Sequence, residues 1–498
     1  MSERHTKLIN NLKPVMHYIN GEFVPSLNSA TFENISPFTN EPMNDVASGD
    51  VDDIDKAVLA AAAAFKGEWG TMKLDERLDY IYKIGDLIEA EVEEIALLES
   101  LDTGLPIKQT RKMVSRAALN FKFYADQVKH VMFGEMYPVD DEFVNYTTRQ
   151  PVGVAGLITP WNAPFMLETW KIAPALATGN TVVLKPAEWS PLSAQRIAEV
   201  IDRAGLPKGV FNVVHGIGEI AGDALVKHKD VRLISFTGET KTGSLIMKNG
   251  ADTLKRFSME LGGKSPIIVF DDADYERALD AVIWGIYSFN GERCTANSRL
   301  YVQESIKDKF IEDVKLRIRK IKVGDPLDDD TEVGPLIKTE HFENVKRYIE
   351  LAKDEGCEVI QADVPESLSR GNFVPPTLLV GAENHMRIVQ EEIFGPVMAV
   401  MSFKDEAEVI EKANDVEYGL AGYVWTSNLA RGHRVAQAVD AGMLWVNSQN
   451  VRDLRTPFGG AKNSGIGREG GFYAFDFYTE IKIIHVAIGD HHIPKFGK

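Results

Sequence analysis

Short, predominantly apolar runs recur through the middle of the chain, and each one ends in a turn rich in glycine, proline or polar residues. The first four runs occupy residues 152–158, 180–186, 211–214 and 231–236. Apolar runs of this length are typical of strands that are buried on both faces of a parallel sheet. Because helix-type sequence separates the first three runs, the pattern predicts a doubly wound α/β domain.

A second α/β unit is predicted after residue 262. Its predicted elements are strands at 266–270, 300–302 and 444–447 and helices at 273–289 and 306–321. Residues 373–379 contain two prolines, which restricts this segment to an edge strand at best.

The N-terminal third predicts a hairpin at 17–24 around an Asn-Gly turn and helices at 51–65, 74–101 and 108–131, followed by strands within 137–150. Asp50 is placed to cap the first of these helices. The tail, 475–488, alternates apolar and polar residues and is expected to add an edge strand to another subunit.

Composition excludes several classes of protein. The formal net charge of -18, without a block of Lys and Arg, argues against a nucleic-acid or anionic-membrane partner. No apolar run is long enough to span a membrane, and the N-terminus lacks a signal-peptide core. The 2 cysteines form no disulfide framework, and no metal-ligand cluster is evident. A cytoplasmic location is expected.

Cys294 is the first candidate for catalysis. It lies in a turn rich in glycine and polar residues, next to Arg293 and close to Arg299. Nearby positive charge lowers the pKa of a cysteine, and the thiolate is the nucleophilic form. The alternative is that Cys294 is a small buried apolar residue, which is the usual role of a free cysteine.

A phosphate-binding turn is the second candidate. Gly216, Gly218 and Gly222 follow the third strand with a spacing one residue off the common dinucleotide fingerprint. Lys185 and Glu188 end the second strand and could bind a ribose or a phosphate. The alternatives are ordinary turn glycines and a solvated loop end.

The chain resembles the aldehyde dehydrogenase superfamily from about residue 15 to the C-terminus. The matching motifs, in order, are residues 159–165, 185–188, 236–238, 260–264, 289–299, 391–397, 457–460 and 464–469. The resemblance implies two doubly wound α/β domains plus a small β oligomerisation element. It places an NAD-binding domain at 1–131 and 152–262, a catalytic domain at 263–474, and an oligomerisation element at 132–151 and 475–498. A homodimer or homotetramer is usual for such proteins.

The resemblance also implies catalytic roles. Cys294 would attack an aldehyde, and Asn162 with the Cys294 backbone N–H would hold the resulting oxyanion. Glu260 would be the general base for water, a role that favours a pKa raised by burial. Lys171 and Glu469 match positions on a proton-relay path.

The implied cofactor is NAD. Lys185 and Glu188 would hold the adenosine ribose and Glu392 the nicotinamide ribose, while Trp161 and Phe394 would contact the cofactor. An acidic Glu188 favours NAD over NADP, because a 2′-phosphate would meet a like charge. The other implied cofactor contacts are Thr159, Pro160, Gly218, Phe236, Thr237, Gly238, Glu239, Leu261 and Gly262. The role of Glu239, near the expected pyrophosphate, stays open.

The likeness is greatest to dehydrogenases of carboxylated semialdehydes in aromatic catabolism, so the substrate is expected to carry carboxylates. The candidate substrate-binding residues are Arg116, Trp170, Arg293, Arg452, Arg455 and Phe458. Guanidinium groups bind carboxylates through two parallel hydrogen bonds, and Arg452 with Arg455 is the leading pair. The alternative is that these arginines form salt bridges between subunits.

Other functions remain open at this point. Betaine-aldehyde, amino-aldehyde and broad-specificity dehydrogenases are the nearest rivals, and a catalytically inactive structural relative is another. An acylating enzyme that passes the thioester to coenzyme A typically lacks the general base, so Glu260 favours hydrolysis.

Overall fold

The structure is a computed structural model that describes residues 3–138 and 141–497. Residues 139 and 140, within the region predicted to form strands, lie outside the described residues. The strands are, in chain order, β1 (His17–Ile19), β2 (Glu22–Val24), β3 (Thr31–Ile35), β4 (Pro42–Ala47), β5 (Met136–Pro138), β6 (Phe143–Pro151), β7 (Val154–Ile158), β8 (Thr181–Lys185), β9 (Phe211–Val213), β10 (Val231–Thr237), β11 (Arg256–Glu260), β12 (Pro266–Val269), β13 (Arg299–Gln303), β14 (Glu358–Gln361), β15 (Thr377–Val380), β16 (Val397–Phe403), β17 (Tyr418–Gly419), β18 (Ala421–Trp425), β19 (Met443–Val446), β20 (Ala461–Lys462), β21 (Gly465–Ile466) and β22 (Thr479–Ala487).

The α-helices are α1 (Glu3–Asn10), α2 (Val51–Lys66), α3 (Glu68–Thr71), α4 (Leu74–Ala90), α5 (Val92–Thr103), α6 (Ile107–Val128), α7 (Pro164–Ala177), α8 (Pro191–Ala204), α9 (Asp223–Lys227), α10 (Thr240–Gly250), α11 (Tyr275–Tyr287), α12 (Lys307–Ile318), α13 (Thr339–Asp354), α14 (Arg387–Gln390), α15 (Glu406–Asn414), α16 (Leu429–Ala438) and α17 (Gly471–Tyr478). Within the described residues, none of them is long and apolar enough to cross a membrane.

The first sheet has 8 strands in the order β2-β1-β9-β8-β7-β10-β11-β21. Its centre, from β9 to β11, is parallel, and β7 and β8 are buried along their whole length. The predicted Asn-Gly hairpin forms β1 and β2, with Asn20 at φ 54 and Gly21 at φ 75, the left-handed pair that such a turn needs. The predicted doubly wound domain is therefore confirmed.

The second sheet has 7 strands in the order β14-β15-β16-β13-β12-β18-β19. Two expectations about its edges are wrong. β15 is an inner strand, because Pro375 and Pro376 precede Thr377 and leave its N–H groups free for the ladder. β19, expected to be buried, is the edge strand and only half-buried beyond Met443.

A third sheet joins β22, β6 and β5, all antiparallel. The tail was expected to be extended from residue 475, but residues 471–478 form helix α17. Its buried positions, Gly471, Ala474, Phe475 and Tyr478, have helical spacing, and Phe475 packs edge-on against Tyr124 at 5.7 Å. The strand begins only at Thr479.

The predicted helix at 74–101 is two helices, α4 and α5, which meet at Glu91. Glu91 has φ -116 and ψ 17, and its carboxylate accepts hydrogen bonds of 2.8 Å from both Arg196 and Arg203 on α8. The helix therefore breaks at Glu91, which is held by arginines of α8, although the sequence pattern of 74–101 is helical throughout. The predicted α2 begins as expected, with an Asp50 capping box.

Candidate active site

Cys294 lies in a rigid turn between α11 and β13. Phe289 and Asn290 adopt left-handed backbone angles (φ 57 and 56), which are unfavourable for residues other than glycine. The Asn290 side chain compensates by donating to Pro335 O at 3.0 Å and accepting from Gly334 N–H at 2.7 Å. A side chain at Gly291 would collide with the Gly395 backbone at 2.2 Å. The turn is thus fixed from several sides, and Cys294 with it.

The expectation that Cys294 is a thiolate is wrong, although Arg293 lowers the pKa of the thiol as expected. Burial raises the pKa of the Cys294 thiol to about 12, and Glu260 and Glu392 act in the same sense, whereas Arg293 and Arg452 oppose them. Arg299 does not help, since it is buried and donates to Lys264 O at 2.7 Å and Ala413 O at 2.8 Å. Desolvation therefore outweighs the local positive charge, and Cys294 is a thiol at neutral pH.

Asn162 lies beside the cysteine turn, in the connection between β7 and α7. Its Nδ2 donates to the Glu292 carbonyl at 2.8 Å, which leaves the second N–H of the amide available. Among the described residues, the Cys294 backbone N–H has no backbone acceptor. The two donors expected to hold an oxyanion are therefore on adjoining segments and both have a free N–H.

Glu260 ends β11 and is buried with only 3% of its surface exposed. Neither carboxylate oxygen has a hydrogen-bond partner among the described residues. Burial raises its pKa well above the ordinary value, Glu469 adds to this, and Lys171 and Arg468 oppose it. The expectation of a raised pKa is confirmed.

Lys171, Ser235 and Glu469 form a buried cluster next to Glu260. Lys171 makes an ion pair with Glu469 and donates to Ser235 Oγ at 2.8 Å, while Ser235 Oγ donates to Glu469 at 3.1 Å. The structure therefore brings together both residues that were predicted for a relay and adds Ser235. No local sequence signal marks Ser235, which lies within an apolar strand.

A cavity of about 510 Å³ opens at the carboxyl ends of β7, β8 and β10, and we call it the strand-end cavity. It is lined by ten of the predicted cofactor residues: Thr159, Pro160, Trp161, Lys185, Glu188, Gly218, Phe236, Thr237, Gly238 and Glu239. Carboxyl ends of parallel strands form such a crevice in doubly wound sheets. Sequence reasoning missed other lining residues, including Trp189, Glu219, Asp223, Leu245 and Ile246. Leu245 and Ile246 have the ordinary pattern of an amphipathic helix, so no signal distinguishes them.

Lys185 and Glu188 pair across the strand-end cavity at 2.9 Å. Burial opposes ionisation of Glu188, but Lys185 prevails and lowers the pKa of Glu188 below its usual value. Glu188 is thus a carboxylate that can accept hydroxyl hydrogen bonds. The glycines at 218 and 222 leave open space beside Lys185, whose nearest atoms lie 3.9 and 4.0 Å from where a Cβ would be. Their backbone can therefore approach a bound phosphate closely.

Four predicted cofactor residues lie outside the lining of this cavity: Leu261, Gly262, Glu392 and Phe394. Glu392 accepts from Gly263 N–H at 2.8 Å, and a side chain at Gly262 would collide with it at 2.3 Å. Phe394 packs edge-on against Trp161 at 5.3 Å, so the segment with Glu392 and Phe394 in the second α/β unit adjoins the cavity. The Lys185 donor, the ionised Glu188 and the open backbone at Gly218 and Gly222 fit a dinucleotide.

An arginine–aromatic cluster is built from Arg116, Trp170, Arg452 and Phe458. The Arg452 guanidinium lies 3.9 Å from the Phe458 ring centre and 4.8 Å from that of Trp170, while Arg116 lies 5.3 Å from Trp170. Arg452 Nε and an Arg116 terminal nitrogen are buried without a partner among the described residues. Burial lowers the pKa of Arg452 to about 9, and Arg116 adds to this, so Arg452 is still a cation at neutral pH.

Two predicted substrate residues lie elsewhere. Arg455 is exposed and pairs with Asp453 at 2.6 Å, so it does not share the pocket of Arg452. The loop turns between them, and Arg452 alone packs inward. Arg293 donates to Gly285 O at 2.6 Å and its guanidinium lies 4.7 Å from the Trp284 ring centre. It therefore packs against the end of α11 rather than within the arginine–aromatic cluster.

The fold and the cysteine turn define an aldehyde dehydrogenase. The model of the aldehyde dehydrogenase family matches residues 23–484, and the chain belongs to this family.

The chain is 50% identical to 5-carboxymethyl-2-hydroxymuconate semialdehyde dehydrogenase of Escherichia coli, over 93% of this chain and 99% of that protein. Among solved structures, HpcC of Thermus thermophilus is 53% identical with a TM-score of 0.97, over 100% of this chain and 98% of that chain. Betaine aldehyde dehydrogenase of Staphylococcus aureus, in complex with NAD+, is 39% identical with a TM-score of 0.95, over 100% of this chain and 99% of that chain.

Proposed function

We propose that this protein oxidises a carboxylated semialdehyde to the acid, with NAD as the hydride acceptor. The observation that carries the proposal is that Glu260 and Arg452, both buried with unpartnered polar atoms, meet beside Cys294: Glu260 lies against Gly459, and Arg452 packs on the ring of the preceding Phe458. A nucleophile, a buried base and an unpaired cation thus share one site. The likeness to the Escherichia coli enzyme supports 5-carboxymethyl-2-hydroxymuconate semialdehyde, an intermediate of homoprotocatechuate catabolism, as the substrate.

The first step forms a bond between Cys294 Sγ and the aldehyde carbon. Because burial keeps Cys294 in the thiol form, its proton must leave as the bond forms, and solvent water at the half-buried Cys294 can accept it. The carbonyl oxygen gains negative charge, which the free N–H groups of Asn162 and Cys294 stabilise. NAD, when bound, supplies the acceptor for the hydride that leaves the carbon.

The second step releases the product. The thioester on Cys294 is attacked by water, and Glu260 takes a proton from that water as the C–S bond breaks. Deprotonated Glu260 is favoured by Lys171 and Arg468 and opposed by burial and Glu469. The Lys171–Ser235–Glu469 cluster lies next to Glu260 without a direct hydrogen bond to it, so a water molecule would have to carry the proton from Glu260 to the cluster.

The arginine–aromatic cluster also favours an anionic aldehyde over betaine aldehyde, the nearest rival. Arg452 and Arg116 both face Trp170, so a quaternary ammonium group there would meet two like charges. A carboxylate would instead partner the buried Arg452 Nε.

The test is NADH formation, followed by absorbance and without coenzyme A, on a panel of aldehydes. The panel contains 5-carboxymethyl-2-hydroxymuconate semialdehyde, succinic semialdehyde, betaine aldehyde and a simple alkyl aldehyde. We expect the highest kcat/KM for a carboxylated semialdehyde. A higher value for betaine aldehyde would contradict the substrate assignment, and no NADH from any of them would contradict the enzyme assignment.

The domain organisation is also part of the proposal. We assign 1–131 and 152–262 to NAD binding, 263–474 to catalysis, and 132–151 with 475–498 to oligomerisation as a homodimer or homotetramer. The apolar side chains Ile481, Ile483 and Val486 on β22 are exposed in the single chain, which supports a partner subunit there. Sedimentation velocity should show an oligomer, and Ile483→Asp should shift it toward monomer; a monomeric wild type would contradict this assignment.

A further inference from the structure

A second cavity of about 510 Å³ lies outside the arginine–aromatic cluster, and we call it the outer arginine cavity. The charged residues that line it are Glu93, Arg111, Lys112, Arg116 and Arg452. Arg116 and Arg452 belong to both the cavity and the cluster, so the cavity adjoins the proposed site of the substrate carboxylate.

The cations of this cavity are not balanced by the protein. Arg111 is neutralised, because it pairs with Glu93 at 2.9 Å and also with Asp329. Lys112, Arg116 and Arg452 have no ion pair among the described residues. Three positive charges therefore face one cavity in a chain whose net charge is -18.

One carboxylate would leave most of this charge uncompensated. Arg116 and Arg452 are close enough that Arg116 lowers the pKa of Arg452, which is the signature of mutual repulsion in a desolvated site. A single carboxylate at Arg452 can form one bidentate pair. A ligand with a second anionic group would partner the remaining cations and relieve the repulsion.

We propose that the outer arginine cavity binds a second carboxylate of the substrate, remote from the aldehyde, and that Lys112 determines this specificity. The inference rests on the proposed function and deepens it, since it assigns the enzyme to semialdehydes with two carboxylates. Lys112 precedes Arg116 by one helical turn on α6, so both side chains project from the same face of that helix.

Helix α6 also provides a matched control. Lys108 lies one further turn from the outer arginine cavity, at the same helical spacing, and does not line it; it lines a neighbouring cavity with Asp280 and Trp284, which Lys112 also borders. Lys108→Gln and Lys112→Gln each remove one positive charge from the same face of α6, but only Lys112→Gln removes it from the outer arginine cavity. Lys112→Arg keeps the charge at the cavity.

The experiment compares two substrates that differ by a carboxymethyl group: 5-carboxymethyl-2-hydroxymuconate semialdehyde, with two carboxylates, and 2-hydroxymuconic semialdehyde, with one. We expect Lys112→Gln to lower kcat/KM for the substrate with two carboxylates by about 3- to 10-fold, mainly by raising KM. This is the size of effect typical of a partly exposed charge contact. The loss for the second should be clearly smaller. Lys112→Arg should restore most of the activity, and Lys108→Gln should change the ratio between the substrates by less than about twofold.

Two results would overturn the inference. Equal losses of kcat/KM in Lys108→Gln and Lys112→Gln would show that the positive charge of α6 acts on the substrate from a distance, and not through a binding site. An unchanged substrate ratio in Lys112→Gln would show that Lys112 is only a solvated surface charge. Either result would leave the proposed function intact if the wild type still oxidises both semialdehydes, whereas failure to oxidise either would contradict the proposed function itself.

Discussion

The strand-end cavity and the outer arginine cavity have the same volume, about 510 Å³, but opposite charge. In the first, Lys185 pairs with Glu188 and Lys227 with Asp223, which leaves the acidic Glu219 and Glu239. In the second, Arg111 pairs with Glu93, which leaves Lys112, Arg116 and Arg452. The overall charge of -18 therefore does not determine the charge at a site.

The difference in charge between the two cavities explains how NAD and the aldehyde can reach the same cysteine from two sides. Carboxylates around the strand-end cavity repel a carboxylated aldehyde and the 2′-phosphate of NADP, whereas the ribose hydroxyls of NAD can donate to Glu188. Cations around the outer arginine cavity attract the carboxylated aldehyde. On this account, charge guides the carboxylated aldehyde to the outer arginine cavity, whereas NAD, an anion through its diphosphate, is held in the strand-end cavity by hydroxyl and backbone hydrogen bonds.

The largest expected effect belongs to Glu260, which both reactants must approach. Glu260→Gln keeps the shape but removes the base, so steady-state turnover should fall by about 10²- to 10⁴-fold. The first hydride transfer should survive, because the Cys294 proton can leave to solvent water, and should give an NADH burst of at most one per site. Stopped-flow absorbance measures both phases.

The pH dependence of kcat provides a check on the same residue. Glu260 must be ionised to accept a proton, so kcat of the wild type should rise with pH. The midpoint of that rise should lie above the ordinary glutamate value, because burial and Glu469 raise the pKa of Glu260. In Glu260→Gln this rise of kcat with pH should disappear. If the rise is unchanged in the variant, it belongs to the titration of another group.

The next largest effect concerns Arg452. Arg452→Gln removes a desolvated charge-assisted contact, so kcat/KM for a carboxylated semialdehyde should fall about 30- to 150-fold. A neutral aldehyde of similar size should lose much less. The matched control is Arg455→Gln, which removes an exposed arginine already paired with Asp453 and should change kcat/KM by less than about twofold. Similar losses on charged and neutral aldehydes would show that Arg452 serves only to hold Trp170 and Phe458 in place.

The sequence was informative where a single local pattern decides the structure. The parallel strands β7 to β10 were predictable because burial on both faces requires a predominantly apolar run, whereas β11 and β21 of the same sheet were not predicted. The raised pKa of Glu260 was also expected, but from the general-base role that the family resemblance implies and not from its strand, β11, which was not predicted. The residues of the cysteine turn and the strand-end cavity were found through motifs whose order matches a family.

The sequence was uninformative where distant residues meet. Arg452 and Arg455 are three positions apart, and no local pattern tells which one turns inward. The pKa of Cys294 depends on burial by segments far away in the chain, which outweighs the adjacent Arg293. The cations of the outer arginine cavity come from α6 and the loop before Phe458, so their convergence is a property of the fold alone.

The smallest expected effect concerns cofactor choice. Glu188→Gln removes the repulsion toward a 2′-phosphate and weakens the ribose contact, so the NAD to NADP ratio of kcat/KM should fall by about tenfold. Glu219→Gln is the control, because Glu219 lines the same cavity without pairing to Lys185. Steady-state assays with both cofactors measure the ratio. A wild-type preference for NADP, or an equal change in both variants, would contradict the role of Glu188.

The most direct test of the account is a crystal structure of Glu260→Gln soaked with NAD and 5-carboxymethyl-2-hydroxymuconate semialdehyde. The account predicts density continuous with Cys294 Sγ, with the carbonyl oxygen near Asn162 Nδ2 and a carboxylate within about 3 Å of the Arg452 guanidinium. A ligand bonded to Cys294 whose carboxylates point away from Arg452 and Arg116, or into the strand-end cavity, would contradict it.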